Sequence, residues 1–580
     1  MRASFAIVFA GSGGAGAVTA GSAFLRAAAR SGYYGLMTKL SGAQVRGGEA
    51  AALVRIGVAP MEGQPDRFDA MIALDWENVG KFAPEVPLDR DSLVLADPAA
   101  GPPAAAIAAR GARIVAFPLA ALAHAVAGGR VNMVALGAAA AIVGLERAIG
   151  PVLATMLAGK GAAAVAASAT SAATGAAAAR DLGLVSALAP PVEGPRWIGS
   201  GNEAIGLGAL RGGVRFVAAY PITPATEITE WLAPRMAAVG GRAMLAEDEI
   251  AAINMALGAS FGGAPSMTVT SGPGLALKVE TIGLAAMAEL PLLIVDVMRV
   301  GPSTGAPTKS DQGDLDLALH GAHGDAPRIV LAPMSIADCA PTTERAVHLA
   351  EALQTPVFVL SDQALGQTET AIDPPSDRPQ PLLRKTDSAQ TGAAFQRYAP
   401  SPDHVSPMPA PGAPGQQWVA DGLSHDAYGH PTNAARLHVA GLDKRRAKIA
   451  DFDYDTAWPH TWGAVYGAGE TALVCFGSTV GPAKEAARRL ATRGVNVRVV
   501  ALRLLAPPPV ARLAKALAGA DRVVVAEQNH SGQLYRHLLG AKALPPHAES
   551  LARPGPAPFR PRDIIAYLAP DAGAPSGDVP

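Results

Sequence analysis

The sequence predicts an α/β protein of three domains on mostly parallel sheets, and three observations carry that prediction. Short apolar strand-type runs recur along the chain, alternating with alanine-rich stretches of helical character. The 580 residues exceed what a single hydrophobic core serves. Hydrophobic residues make up 49% and charged residues only 17%, which suits extensive buried surface.

Residues 1–190 read as the first domain. Its strand runs are FAIVFA (5–10), AALVRIGV (51–58), AMIALD (70–75), SLVLAD (92–97) and RIVAFP (113–118). The opening run is too short for the apolar core of a signal peptide. The stretch 131–145 is too short, and too rich in Ala and Gly, to span a membrane. An Ala/Gly tract, 159–191, reads as a helix plus a linker. Residues 191–366 form a second α/β domain, with PSMTVT, PLLIVDV, RIVLA and PVFVL as strands. Residues 367–463 read as a connection and interface segment. Its Pro-rich part, 373–415, is too long for an ordinary loop and is expected to lie extended over another surface. Residues 464–580 form a third domain on TALVCFGS, NVRVVALR and RVVVAEQN, ending in a frayed tail.

Charge and cysteine content exclude several function classes. A formal net charge of −1 gives no electrostatic case for nucleic acid or an anionic membrane. The two cysteines, Cys339 and Cys475, form no CxxC pair, so no metal site is expected in this chain. A cubane iron–sulfur cluster needs four thiolates and would have to sit on a partner. Few cysteines also fit a reducing cytoplasm.

Two regions carry candidate chemistry. In the first, Gly11, Gly13, Gly14 and Gly16 follow a strand and open a helix, where backbone N–H groups can approach a phosphate. A tight turn without ligand explains the same pattern. Arg46, between Val45 and two glycines, suits bidentate anion binding or a surface turn equally.

In the second, Thr223 of YPITP stands where a helix N-cap would, with Pro224 at the first helical position. Glu247, Asp248 and Glu249 open a helix, and first-turn acids commonly just complement its dipole. Ser271 and Gly272 begin an SGPG turn between strand and helix, placing N–H groups near any bound ligand. Arg299 ends a strand and suits a planar carboxylate. Lys309, His320 and His323 are further candidates for reading a second carboxylate or moving protons. Glu527, Asn529 and Gln533 read as strand-end and helix-start residues of the third domain.

YPITP, the AEDEI helix start, TSGPG and RVGPSTG together resemble the alpha subunit of 2-oxoacid:ferredoxin oxidoreductases, with a gamma domain fused at its N-terminus. The glycine loop with its following R-G-G-E resembles that gamma domain. The resemblance implies a CoA-associated first domain, a pyrimidine-binding second domain for thiamine diphosphate, and a transketolase-like third domain. It puts the catalytic carboxyl at Glu249, cofactor contacts at Ser271 and Gly272, and substrate contacts at Thr223, Arg299, Lys309 and His323. No GDG motif for a diphosphate–Mg²⁺ site is present; Gly313-Asp314-Leu315 breaks it. The resemblance therefore implies a beta subunit carrying Mg²⁺ and a 4Fe–4S cluster, ferredoxin as acceptor, and a dimer of alpha–beta heterodimers. The implied reaction is CoA-dependent oxidative decarboxylation of 2-oxoglutarate, with pyruvate or branched or aromatic 2-oxoacids as the alternative. A CoA or nucleotide ligase built on the glycine loop, or a non-catalytic assembly subunit, are the readings from other classes.

Overall fold

The computed structural model describes residues 1–41, 48–306, 309–376, 378–386, 395–456 and 458–570. By its contacts the chain separates into two compact units. Met1–Ser200 with Gln367–Pro375 and Arg560–Pro580 make the first; Gly201–Gly366 with Ser376–Phe559 make the second.

The first unit holds one eight-stranded sheet. From edge to edge it runs Arg113–Ala116, Leu93–Ala96, Ala70–Ala73, Ser4–Ser12, Glu49–Gly57, Tyr34–Ser41, Glu369–Ile372 and Trp197–Ser200. Phe5 to Ala10 are buried on both faces of the central strand, hence their unbroken apolar run. One half of the sheet is parallel, from Arg113–Ala116 to Ser4–Ser12. The other half is antiparallel. Tyr34–Ser41 and Glu49–Gly57 follow each other too closely for a crossover helix, so they pair as neighbours running in opposite senses.

Helices Val131–Val143 and Ala162–Asp181 meet through glycine. A Cβ at Gly137 would lie 1.8 Å from the Ala172 carbonyl oxygen, and one at Gly175 2.0 Å from that of Val134. Such backbone proximity accounts for the small-residue tract. Helix Ala162–Asp181 is also long and apolar enough, by length and composition alone, to cross a membrane.

Three segments differ from the sequence-based division. Trp197–Ser200, expected in the second domain, is an edge strand of this sheet. Glu369–Ile372, expected in the connection, is a strand of this sheet, antiparallel to both neighbours. Arg560, expected with the third domain, donates to the Pro65 and Glu85 carbonyls of the first unit. Local periodicity carries no record of partners this distant in sequence.

The second unit holds two sheets around a shared apolar core that takes Ile294 and Phe358 from one and Val474 and Val525 from the other. The seven-stranded sheet runs Leu504–Ala506, Ile329–Leu331, Pro356–Asp362, Leu292–Met298, Ser266–Thr270, Phe216–Ala219, Arg242–Leu245. It is parallel except at the Leu504–Ala506 edge. The five-stranded sheet runs Gly463–Tyr466, Val497–Leu502, Thr471–Phe476, Arg522–Glu527, Glu549–Ala552, antiparallel only at its first pair.

The Pro-rich stretch before helix Ala435–Ala450 is irregular and is tied down by ion pairs. Arg384 forks onto Glu351 at 2.7 and 2.9 Å and donates to the Ser260 carbonyl at 2.9 Å. From the helix, Lys444 and Lys448 reach Glu289 at 2.8 and 2.9 Å. Burial alone would raise the Glu289 pKa. Lys448, Lys444 and Arg397 around it outweigh burial and hold it far below the usual range.

Candidate active site

Strands Ser266–Thr270 and Leu292–Met298 run parallel, and their C-terminal ends are where open α/β sheets place ligands. Glu249 lies beside the first of these ends. Asp248, in extended conformation, is the N-cap of helix Glu249–Phe261 and accepts the Ala251 N–H at 2.7 Å. Glu247 and Asp248 are exposed, and Glu249, the first helical residue, turns inward and is 9% exposed. Of the three acids, therefore, one caps and one is buried.

Gly274 faces that buried carboxyl. A Cβ there would lie 2.3 Å from Thr270 Oγ1, 2.8 Å from Glu249 Cγ and 2.9 Å from Glu249 Oε1. The turn tolerates no side chain at this point. Behind it, the fully buried Lys278 donates from Nζ to the Glu249 carbonyl oxygen at 2.9 Å and to Thr268 Oγ1 at 3.2 Å. Burial lowers the Lys278 pKa to about 8, with Glu249 and Asp248 opposing the fall. Sequence reasoning missed Lys278; a lone lysine within the apolar run LALKVETIGL was the available signal.

Ser271 precedes the short helix Gly272–Leu277. Its hydroxyl is buried and has no hydrogen-bond partner. Gly272 sits against Asp314: a Cβ there would meet Asp314 Oδ1 at 2.4 Å, and its N–H bonds the same carboxyl. Asp296 pairs in register with Thr270, and both its carboxyl oxygens are buried without partners, as is Asp314 Oδ2. Burial, then the charge of Asp314, raises the Asp296 pKa well above the carboxylate range. Asp314 is pushed up to about 7 by burial and by Asp311, against the pull of Arg299 and the Gly272 N–H. Neither carboxyl was anticipated, although a single Asp inside the apolar strand PLLIVDVM was visible.

Arg299 and Thr223 come together: the guanidinium donates from Nη1 to the Thr223 carbonyl oxygen at 2.7 Å. Thr223 is not the expected N-cap. Helix Thr226–Met236 starts later, with Ala225 at its cap and no side-chain cap. The turn is closed instead by the Ala225 and Thr226 N–H groups on the Ile222 carbonyl, at 2.8 and 3.0 Å, which leaves the Thr223 side chain exposed. The Lys309 carbonyl accepts the Val300 N–H at 2.9 Å, bringing Lys309 beside Arg299. His320 and His323 are exposed at the end of helix Leu315–His320 remote from Asp314. His323 lies near helix Val279–Met287, where a Cβ on Gly283 would come within 3.8 Å of its ring.

The Gly11–Gly16 loop has a different character. The Ser12 N–H and hydroxyl both donate to Asp75, each at 2.8 Å, and the hydroxyl also reaches Glu77 at 3.3 Å. The Gly13 N–H donates to the Gly48 carbonyl at 2.5 Å and the Ala15 N–H to the Ser12 carbonyl at 3.0 Å. Gly11 lies against Asp75, and the Gly16 carbonyl accepts from Asn132 Nδ2 at 3.2 Å. Four of the loop's donors are thus spent within the protein, beside two carboxylates, an unfavourable setting for a phosphate. Arg46 lies outside the described residues.

In the third sheet Glu527 accepts the Leu534 and Tyr535 N–H groups at 2.7 and 2.9 Å and Asn529 Nδ2 at 2.6 Å. Gln533 bonds the Gly313 carbonyl at 2.8 Å. These residues fix helix Gln533–Gly540 and the loop leading to Asp314.

Residues 207–444, which contain Glu249 and its neighbours, match the family model described as pyruvate flavodoxin/ferredoxin oxidoreductase, thiamine diphosphate-binding. Residues 6–179 match pyruvate ferredoxin/flavodoxin oxidoreductase, and 469–564 match pyruvate:ferredoxin oxidoreductase core domain II. The 2-oxoglutarate synthase subunit KorA of Methanocaldococcus jannaschii is 36% identical over 58% of this chain and 88% of its own length. The chain belongs to the 2-oxoacid:ferredoxin oxidoreductase family.

A solved 2-oxoglutarate:ferredoxin oxidoreductase from Magnetococcus marinus, with 2-oxoglutarate, coenzyme A and succinyl-CoA bound, superposes with a TM-score of 0.89. It is 35% identical, over 98% of this chain and 99% of that one. The 2-oxoglutarate oxidoreductase subunit KorA of Mycobacterium tuberculosis is 39% identical, and the match spans 52% of that protein's length. The KorA names place this chain among subunits that work with a partner subunit.

Proposed function

We propose that this chain is the alpha subunit, with fused gamma domain, of a 2-oxoglutarate:ferredoxin oxidoreductase. In the assembled enzyme, 2-oxoglutarate and CoA yield succinyl-CoA and CO₂ while ferredoxin is reduced. The observation that carries this reading is the buried Glu249 carboxyl facing Gly274 inside the thiamine-diphosphate-binding segment. The 2-oxoglutarate-named relatives and the Magnetococcus marinus enzyme support the substrate.

The residues fit the aminopyrimidine end of thiamine diphosphate. A buried carboxyl, a turn with glycine at 272 and 274, and an unpartnered buried Ser271 hydroxyl supply acceptors and donors for a flat polar ring. When bound, the cofactor supplies a carbon nucleophile and an electron sink. With the cofactor bound, Glu249 would hold the ring nitrogen by a hydrogen bond and keep a proton there. Lys278 fixes the Glu249 backbone from behind. Ser271 and Gly272 contact the cofactor along the turn. Arg299 receives a substrate carboxylate, with Thr223 and Lys309 beside it. His323 lies beyond the end of helix Leu315–His320, near Gly283 of helix Val279–Met287.

The first unit, 1–200 with 367–375 and 560–580, is assigned to CoA, with 201–366 as the pyrimidine-binding domain, 376–463 the interface segment and 464–559 the transketolase-like domain. A beta subunit completes the site with Mg²⁺ and the diphosphate contacts, carries the 4Fe–4S cluster, and pairs as a dimer of heterodimers. Two buried free thiols suit a cytoplasmic setting.

The test is CoA-dependent viologen reduction by the purified complex of this chain and its partner, across a panel of 2-oxoacids. Strong activity with 2-oxoglutarate alone is expected. Preference for pyruvate or a branched 2-oxoacid moves the substrate assignment. No activity from a cluster-loaded, thiamine-bound complex overturns the reading.

A further inference from the structure

Open α/β sheets place ligands at the C-terminal ends of their strands. In the five-stranded sheet two adjacent parallel strands, Arg522–Glu527 and Glu549–Ala552, end on the chain itself. Gln528 and Asn529 follow the first strand and Gly555 the second, and all three meet the segment Lys309–Gln312.

Gln312 and Gln528 are buried and bond reciprocally. The Gln312 N–H donates to the Gln528 carbonyl at 2.6 Å, and the Gln528 N–H to Gln312 Oε1 at 2.9 Å. Asn529 Nδ2 donates to the Gln312 carbonyl at 3.2 Å. The Gln528 side chain reaches further along the segment. Its Nε2 donates to the Ser310 carbonyl at 3.0 Å and to the Ala557 carbonyl at 3.3 Å. Its Oε1 is buried without a hydrogen-bond partner among the described residues, so the amide stands there for its N–H groups. Gly555 closes the segment from the other strand. Its N–H donates to Asp311 Oδ1 at 3.3 Å, and a Cβ there would lie 2.4 Å from the Ser310 carbonyl oxygen and 2.7 Å from Val300 Cγ2.

This grip leads to the site. Val300 directly follows Arg299, and its N–H donates to the Lys309 carbonyl at 2.9 Å. Gly555 thus packs on both sides of the bond that holds Arg299 and Lys309 next to each other.

We propose that Gln528 and Gly555 are positioning residues for a dicarboxylate substrate: they fix the main chain at Val300 and Lys309–Gln312, and so set where Lys309 meets a second carboxylate beside Arg299. The proposal rests on the reading that substrate binds at Arg299 and Lys309. It gives the five-stranded sheet a part in substrate affinity. A displaced Lys309 weakens the hold on the substrate. Glu249 and Ser271 make none of the bonds just given, so the chemical step keeps its rate.

The experiment measures kcat, KM for 2-oxoglutarate and KM for CoA in the assembled enzyme. The chains are wild-type, Gln528→Met, Gly555→Ala, Lys309→Met and the double variant Gln528→Met with Lys309→Met. Gln528→Met is expected to raise KM for 2-oxoglutarate by about tenfold, with kcat and KM for CoA within about twofold of wild-type. Gly555→Ala is expected to raise the same KM, and it carries the test if Gln528→Met fails to assemble. Because Gln528 acts through Lys309, adding Gln528→Met to Lys309→Met should change KM by less than about twofold. A raised KM in Lys309→Met with wild-type KM in Gln528→Met and Gly555→Ala overturns the positioning role. So does a double variant whose KM rises by the product of the two single effects. A wild-type KM in Lys309→Met overturns the underlying reading of Lys309 at the substrate.

Discussion

Two glycine-rich strand-to-helix turns in this chain look alike in sequence and differ in chemistry. The Gly11–Gly16 turn is closed upon itself: Asp75 accepts twice from Ser12, and backbone carbonyls take the Gly13 and Ala15 N–H groups. The Ser271–Gly274 turn is open only at its side chain: the Gly272 and Gly274 N–H groups go to Asp314 and the Ser271 carbonyl, while the buried Ser271 hydroxyl has no partner. Both Asp296 carboxyl oxygens and Asp314 Oδ2 also lack partners, and its glycines stand against Glu249 and Asp314. Glycine spacing records only that a backbone needs room. Unsatisfied buried polar atoms record that something else is meant to bind there.

Substitutions at the two turns sharpen this contrast. Gly274→Ala drives a Cβ into Thr270 Oγ1 and Glu249 Oε1, so the carboxyl must shift. Misplacing a catalytic group by about 1 Å costs on the order of 100-fold in turnover. That loss is expected in the viologen assay of the assembled enzyme, without loss of the complex on size-exclusion chromatography. Wild-type turnover in Gly274→Ala breaks the claim that this turn frames the site.

Asp75→Ala, at the closed turn, strands the Ser12 N–H and leaves the Ser12 hydroxyl only its longer bond to Glu77. A stability loss of about 1–2 kcal/mol is expected, read as a lower midpoint of the first thermal transition. Turnover at saturating substrate and CoA should change by less than about twofold, well below the Gly274→Ala effect. A large loss of turnover would place functional chemistry at the closed turn as well.

The smallest effect concerns Lys278. Its pKa is about 8 in the folded protein against 10.5 when unfolded, so the unfolded chain binds more protons between those values. Its contribution to stability therefore increases as pH rises through this window, by about 1 kcal/mol between pH 7.5 and 9. Lys278→Met should lose that increment in unfolding curves recorded at the two pH values. An identical pH dependence in the variant removes Lys278 as its source.

The strands were legible because parallel sheets bury both faces and leave unbroken apolar runs, as in FAIVFA and PLLIVDV. AEDEI offered three acids, and only the family resemblance singled out Glu249; the structure shows that Glu249 is the buried one and Asp248 the cap. What sequence could not convey was pairing at a distance. Glu369–Ile372 finds its neighbours in Tyr34–Ser41 and Trp197–Ser200, and Gly272 finds Asp314 across a loop. The N-cap reading of Thr223 failed because the Ile222 carbonyl closes the turn and delays the helix to Thr226. Nor could the sequence show that Asp75 and Glu77, more than 60 residues away, take up the Ser12 groups of the Gly11–Gly16 loop.

Glu249→Gln tests the central claim most directly. It keeps size and burial and removes only the carboxyl's capacity to hold and share a proton. In the complex with its partner, loaded with thiamine diphosphate, turnover of 2-oxoglutarate should fall by about 10²- to 10⁴-fold with the cofactor still bound. Unchanged turnover in a correctly assembled Glu249→Gln enzyme would contradict the assignment of Glu249 and, with it, the functional reading of the open turn.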